Sequence, residues 1–230
     1  MQIQAVLFDL DNTLTHRDQS VQAYSQYLVR HYQAHLAAPA YEQVLAIIRR
    51  IDHGGYPQKE FLTHPSIAAS VAYALQQELS WQRVPELEEL TEFWLHYFGR
   101  FAVAMPGAEQ LLQQLKSQNF KLGIISNGGQ QSRLNILQGL GFLHYFDVVH
   151  SSELVGIAKP KPEIFLYSAE KLAVAPERCL FVGDHPINDM QGAQAAGMHA
   201  LWLQGFHHSP QGLDVPNITQ LDDVWHYLSV

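Results

Sequence analysis

Cysteine is almost absent: Cys179 is the single one in 230 residues, so no intrachain disulfide can form and a disulfide-stapled secreted scaffold is excluded. The opening Met-Gln-Ile-Gln lacks the basic segment of a signal peptide, and no apolar run reaches the roughly 18 residues needed to span a bilayer. Internal repeats and low-complexity segments are missing too. Positive charge is in the minority, with 14 Lys and Arg against 22 Asp and Glu and a net charge of −8. That balance disfavours extended contact with nucleic acid or an anionic membrane. The expectation is a soluble cytoplasmic protein with no nucleic-acid and no membrane partner.

What is present is a globular composition. Hydrophobic residues make up 47% of the chain, enough for one substantial core, or one core with a smaller satellite domain. Cys179 lies in the run Cys-Leu-Phe-Val, which reads as a core strand carrying an inert thiol. An anionic substrate would need a local positive site, supplied by a few placed lysines or by a metal ion.

The most informative stretch is Ala5-Val-Leu-Phe-Asp9-Leu-Asp11-Asn-Thr13-Leu-Thr15. A short apolar run ending in two carboxylates reads as a buried parallel strand that delivers acids to the carboxyl edge of a sheet. Asp9 and Asp11 can project into one crevice as the chain turns away, one to attack and the other to move a proton. Asp and Asn are also common where strands end in turns, so the pair alone leaves both readings open.

From about 16 to 101 there is no convincing strand. Val21, Tyr24, Leu28, Tyr32 and Leu36 mark one apolar helical face from Gln19 to Leu36, and helical patterns follow over 40–51, 59–79 and 85–98. Gly54-Gly55-Tyr56-Pro57 separates two of them. Alternation then resumes: a helix after Pro106-Gly107, a strand over 120–125, a helix over 130–140, a strand over 146–150 and a helix from Pro162 to Leu172. A strand over 180–183, a helix over about 188–196, a strand over 199–203 and a final extended piece and helix within 217–228 complete it. Such alternation predicts an α/β fold with a mainly parallel sheet, formed by 1–15 and 102–230, with 16–101 as a helical insert.

In that sheet the strand ends share one edge. Asp9 and Asp11, Ser126 and Asn127, Lys159 in the loop before Pro162, and Asp184 with Asp189 can therefore converge. Several carboxylates gathered without partners would repel, and a divalent cation resolves the conflict. Hard oxygen donors favour Mg²⁺.

The ordered set Asp9-x-Asp11-x-Thr13, Ser126-Asn127, Lys159-Pro and Gly183-Asp184-(x)4-Asp189 resembles the four motifs of the haloacid dehalogenase (HAD) superfamily of hydrolases, in its phosphatase branch. The resemblance spans nearly the whole chain. It implies a Rossmann-like three-layer core, 1–15 with 102–230, and an all-helical cap domain, 16–101, inserted after the first strand. It implies Asp9 as nucleophile, Asp11 as general acid and base, and Mg²⁺ held by Asp9, the main-chain carbonyl of Asp11 and Asp184. Asp189 would hold metal-bound water or Lys159. Ser126, Lys159, Thr13, Gly128 and backbone N–H groups near Asn12 and Asn127 would bind the phosphoryl oxygens.

The implied function is a Mg²⁺-dependent phosphomonoester hydrolase acting on a small phosphorylated metabolite, a nucleotide or sugar phosphate, through an aspartyl-phosphate. The alternatives are a phosphomutase of the same superfamily and a non-catalytic phosphoacceptor or binding protein. Lys161 reads as a surface lysine and His185, next to Asp184, as a turn or supporting residue. His31 and His35 read as an exposed helical face, His207-His208 as a solvated loop, and Phe93, Trp94, Tyr97 and Phe98 as cap core. Gly54 to Tyr56 with Lys59 is the candidate cap loop. Monomer and homodimer both remain open.

Overall fold

The computed structural model describes residues 2–208 and 212–228. Two compact units divide the chain: Met1–Thr15 with Ala104–Val230, and His16–Val103. In the first unit six parallel strands form one sheet: β1 Ala5–Phe8, β2 Lys121–Ser126, β3 Val148–Ser151, β4 Cys179–Gly183, β5 His199–Leu203 and β6 Asn217–Ile218. Their order is β3-β2-β1-β4-β5-β6. β1 is central, with Phe8 opposite Ile124 on one side and Val182 on the other. All four of its residues are fully buried, which explains a continuous apolar run where a half-exposed strand would alternate.

The second unit carries α1 Arg17–His31, α2 Tyr41–Asp52, α3 Ile67–Glu78 and α4 Leu87–Tyr97. The first unit's helices are α5 Ala108–Ser117, α6 Gln130–Gly139, α7 Ser152–Val155, α8 Pro162–Leu172, α9 Gly192–Ala195 and α10 Asp222–Leu228. None of the described helices is long and apolar enough to cross a membrane. Below one face of the sheet, Phe165 of α8 meets Phe181 of β4 edge-on, with ring centroids 4.9 Å apart. Cys179 is fully buried in the same core, and burial pushes its thiol up to about 12. His150 of β3 is buried, with Nδ1 2.9 Å from the Ser168 hydroxyl. That hydroxyl donates to the Ile164 carbonyl, so Nδ1 is the donor to Ser168.

Three helix boundaries differ from the periodicity reading. The apolar spacing runs to Leu36, but α1 ends at His31; the next residues fold into tight turns, where the His35 carbonyl takes the N–H groups of Gln82 and Arg83. α3 starts at Ile67 rather than near 59, because Pro65 disfavours a helical His64 and the Ser66 hydroxyl caps the Ala69 N–H at 3.1 Å. The helix expected from 188 begins at Pro186 as a wide π-helical turn, Pro186–Gln191, that leads into α9.

Inside the helical unit Phe93, Trp94 and Phe98 are core, while Tyr97 is half-buried. Trp94 stacks on Phe98 at 4.5 Å and meets Tyr24 edge-on at 5.0 Å. His31 packs on Phe93, and His35 lies edge-on to Tyr32. A buried ion pair that periodicity does not reveal ties α1 to α2: Arg17 Nη2 lies 2.6 Å from Asp52 Oδ1 and Nε lies 3.1 Å from Oδ2. Asp52 also accepts the Gly55 N–H at 3.1 Å. That bond anchors the turn His53–Gly55, where three successive residues have positive φ.

Candidate active site

The site is built where β1 ends. Asp9 extends the strand, its N–H donating to the Val182 carbonyl at 2.9 Å, and the residue is only 3% exposed. The chain then closes a tight turn on the Leu10 carbonyl, which accepts from the N–H groups of Leu14 and Thr15. Asn12 stands in the left-handed region at φ 57, which asparagine tolerates better than most residues. Thr15 Oγ1 lies 3.1 Å from the Leu10 carbonyl and 3.4 Å from Asp11 Oδ1. Thr13 is fully buried, and its hydroxyl has no hydrogen-bond partner among the described residues.

Lys159 binds the first and fourth motifs together. Its Nζ donates to Asp9 Oδ1 at 2.5 Å and to Asp189 Oδ1 at 2.7 Å. Burial works against the ammonium, but Asp189 and Asp9 outweigh it and hold Lys159 above its ordinary value. Burial raises the Asp9 carboxyl to about 7 against the pull of Lys159, and Asp189 adds to the rise. Asp189 is likewise raised by burial. Lys161 is exposed.

The end of β2 supplies Ser126, buried beside Ser151 of β3. The Asn127 side chain clamps the Lys159 backbone from both sides: its Oδ1 accepts the Lys159 N–H at 2.9 Å and its Nδ2 donates to the Lys159 carbonyl at 3.1 Å. The Gly128 N–H donates to Ser152 Oγ. Arg133, one turn into α6, carries an ion pair that sequence reasoning missed: its Nη1 lies 2.6 Å from Asp11 Oδ2.

At the end of β4, Asp184 is fully buried and its carbonyl accepts the Trp202 indole N–H at 2.7 Å. Asp189 Oδ2 accepts the His185 N–H at 2.9 Å, which fixes the turn. This approach needs Gly183, since a Cβ there would lie 2.4 Å from Asp189 Oδ2. His185 caps the π-turn, with Nδ1 accepting the N–H groups of Ile187 and Asn188 at 3.1 Å each. Burial first, then His207 and Lys159, depress its imidazole to about 4, which suits an acceptor. The expectation that His207 is solvated is corrected: its Nε2 lies 3.3 Å from Asp184 Oδ2 and its ring 4.4 Å from that of His185. The loop after β5 folds back over the strand ends, whereas its neighbour His208 is exposed.

Asp9, Asp184 and Asp189 each bring a carboxylate oxygen within 4.8 Å of the others, and all three are buried. Asp9 Oδ2 is buried with no hydrogen-bond partner among the described residues. An orphaned oxygen beside two further buried acids is the donor set of a hard divalent cation, so the residues fit Mg²⁺.

Three comparisons set this geometry among known proteins. The model of the haloacid dehalogenase-like hydrolases matches residues 3–197. A phosphoserine phosphatase of Thermus thermophilus is 35% identical over 115 residues, covering 50% of this chain and 46% of that protein. The pyrimidine 5'-nucleotidase YjjG of Escherichia coli K12 is 36% identical over 128 residues, 54% of this chain and 56% of that one. The matches thus span about half the length of these curated relatives. Among solved structures, a HAD phosphatase from Thermococcus onnurineus is similar at 28% identity with a TM-score of 0.64, over 98% of each chain.

Proposed function

The chain belongs to the haloacid dehalogenase-like hydrolases, and from that premise we propose that it is a phosphomonoesterase that uses Asp9 as nucleophile on a small phosphorylated metabolite, a nucleotide or sugar phosphate. One observation supports this above the others. Lys159 holds Asp9 at the end of β1, and the buried acids Asp184 and Asp189 stand beside it. A carboxylate fixed in direction among groups that fit a divalent cation is oriented for attack on a phosphoryl group.

On this reading Asp9 and Asp184, with the Asp11 carbonyl, would hold Mg²⁺, whose positive charge would offset the repulsion between nucleophile and phosphoryl oxygens. Asp189 keeps Lys159 in place, Asn127 fixes the backbone that carries it, and Ser126 meets a phosphoryl oxygen together with Lys159. As the bond from Asp9 to phosphorus forms, the bond to the leaving oxygen breaks and that oxygen takes the proton of Asp11. Water then gives a proton to Asp11 while its oxygen bonds to phosphorus and frees Asp9. The helical unit is the cap domain of the family. The activities for which the two relatives are named, a phosphoserine phosphatase and a pyrimidine 5'-nucleotidase, fit this substrate class. A second acid at position 11 favours hydrolysis of a phosphoester, whose leaving oxygen needs a proton, over dehalogenation, whose halide does not.

The test is phosphate release from a panel of nucleotide, sugar and small organic phosphates, with Mg²⁺ or with excess chelator, for the native protein and Asp9→Asn. Release is expected only from the native protein with metal. Release that survives in Asp9→Asn, or none from any phosphoester, removes the proposal.

A further inference from the structure

Arg133 stands outside the four motifs, yet it is tied to one of their acids. Its side chain is 8% exposed and that of Asp11 also 8%, and Nη1 to Oδ2 is 2.6 Å. The pair joins residues 122 apart in sequence. The approach is made possible by Gly128, whose φ of +133° favours glycine and where a Cβ would lie 2.2 Å from Arg133 Nη2. The backbone of the second motif is thus shaped to let the guanidinium pass.

Stability alone does not account for this arrangement. Arg133 Nε is buried without a hydrogen-bond partner among the described residues, and an unpaired buried donor works against folding. A planar guanidinium held on one oxygen of a carboxylate does fix that carboxylate's direction. The other oxygen of Asp11 sits by the Thr15 hydroxyl, at the longer distance of 3.4 Å.

We propose that Arg133 is a positioning residue for proton transfer: it sets the Asp11 carboxyl in the orientation from which the leaving oxygen is protonated. The proposal rests on the phosphomonoesterase reading above. It concerns the step in which Asp11, protonated on the oxygen that Arg133 does not hold, gives that proton to the leaving oxygen while the phosphorus–oxygen bond breaks. The consequence is selective. A leaving group that departs as a stable anion needs little help from Asp11, whereas an alkoxide needs it fully.

The experiment measures kcat/KM for glycerol phosphate and for p-nitrophenyl phosphate in native protein, Arg133→Lys, Arg133→Met, Asp11→Asn and the Asp11→Asn/Arg133→Met double variant. The ratio of the two values on one sample is independent of how much of it is folded. Arg133→Met is expected to lower the glycerol-to-nitrophenyl ratio by about 10²-fold, within the range typical of general acid catalysis. Arg133→Lys, a shorter and non-planar cation, is expected to lower it by roughly tenfold. Adding Arg133→Met to Asp11→Asn should leave the ratio where Asp11→Asn put it, because the two residues act as one unit. An unchanged ratio in both arginine variants, or a further fall in the double variant, overturns the proposal. Should Arg133→Met fail to fold, Arg133→Lys is read by the same ratio. If native protein hydrolyses neither these nor any other phosphoester of the panel above, the phosphomonoesterase reading falls and the inference with it; native turnover with an unchanged ratio removes the inference alone.

Discussion

Gly183 shows how single residues hold the site. Asp189 reaches both the Lys159 ammonium and the His185 N–H across the bare Cα of Gly183, where a methyl group would meet Oδ2 at 2.4 Å. Gly183→Ala is therefore expected to push Asp189 off both partners and leave Lys159 with Asp9 alone. Phosphate release should fall by on the order of 10²-fold, as misplacement by about an ångström does, while the circular dichroism spectrum stays native. A variant with full turnover would show that Asp189 does not need this approach. The acids and Lys159 were legible in the sequence because they stand in a recognisable order at strand ends, in the loop before α8 and in the turn after β4. Arg133 and His207 were not: they reach their partners only through folding, and nothing local distinguishes them from a helix-surface arginine and a loop histidine.

At the scale of elements, β3 carries a titratable group with no part in the chemistry. Burial, with Lys171 adding, holds the His150 imidazole below its ordinary value, and its surroundings are the Ser168 hydroxyl, the Tyr167 ring and Lys171. The unfolded chain binds a proton here more readily than the folded one. The stability this contributes is complete above the ordinary value of about 6.5 and is lost as pH falls below it toward the depressed value. Urea midpoints measured on either side of about 6.5 should therefore fall more steeply on acidification for the native protein than for His150→Gln. Equal slopes would contradict the account. Element existence was readable from periodicity, since β1, β2, β4 and β5 lie in the expected runs. Their ends were less so: apolar spacing continues through the turns after His31, because Tyr32 and Leu36 are core residues whether or not their backbone is helical.

For the whole molecule, strand order does the assembling. With β1 between β2 and β4, the carboxyl ends of three strands and one loop bring Asp9, Asp11, Ser126, Asn127, Lys159, Asp184 and Asp189 to one edge. Parallel alternation makes that convergence readable in the sequence, while the distances that assign partners come only with the fold. The direct test of the central claim is to quench turnover of a good substrate in acid, digest the protein, and weigh the peptide that carries Asp9. The account predicts a peptide heavier by one phosphoryl group, with the group on Asp9 and absent from Asp9→Asn. Active protein that never carries the added mass there, or carries it on another residue, would contradict Asp9 as the nucleophile.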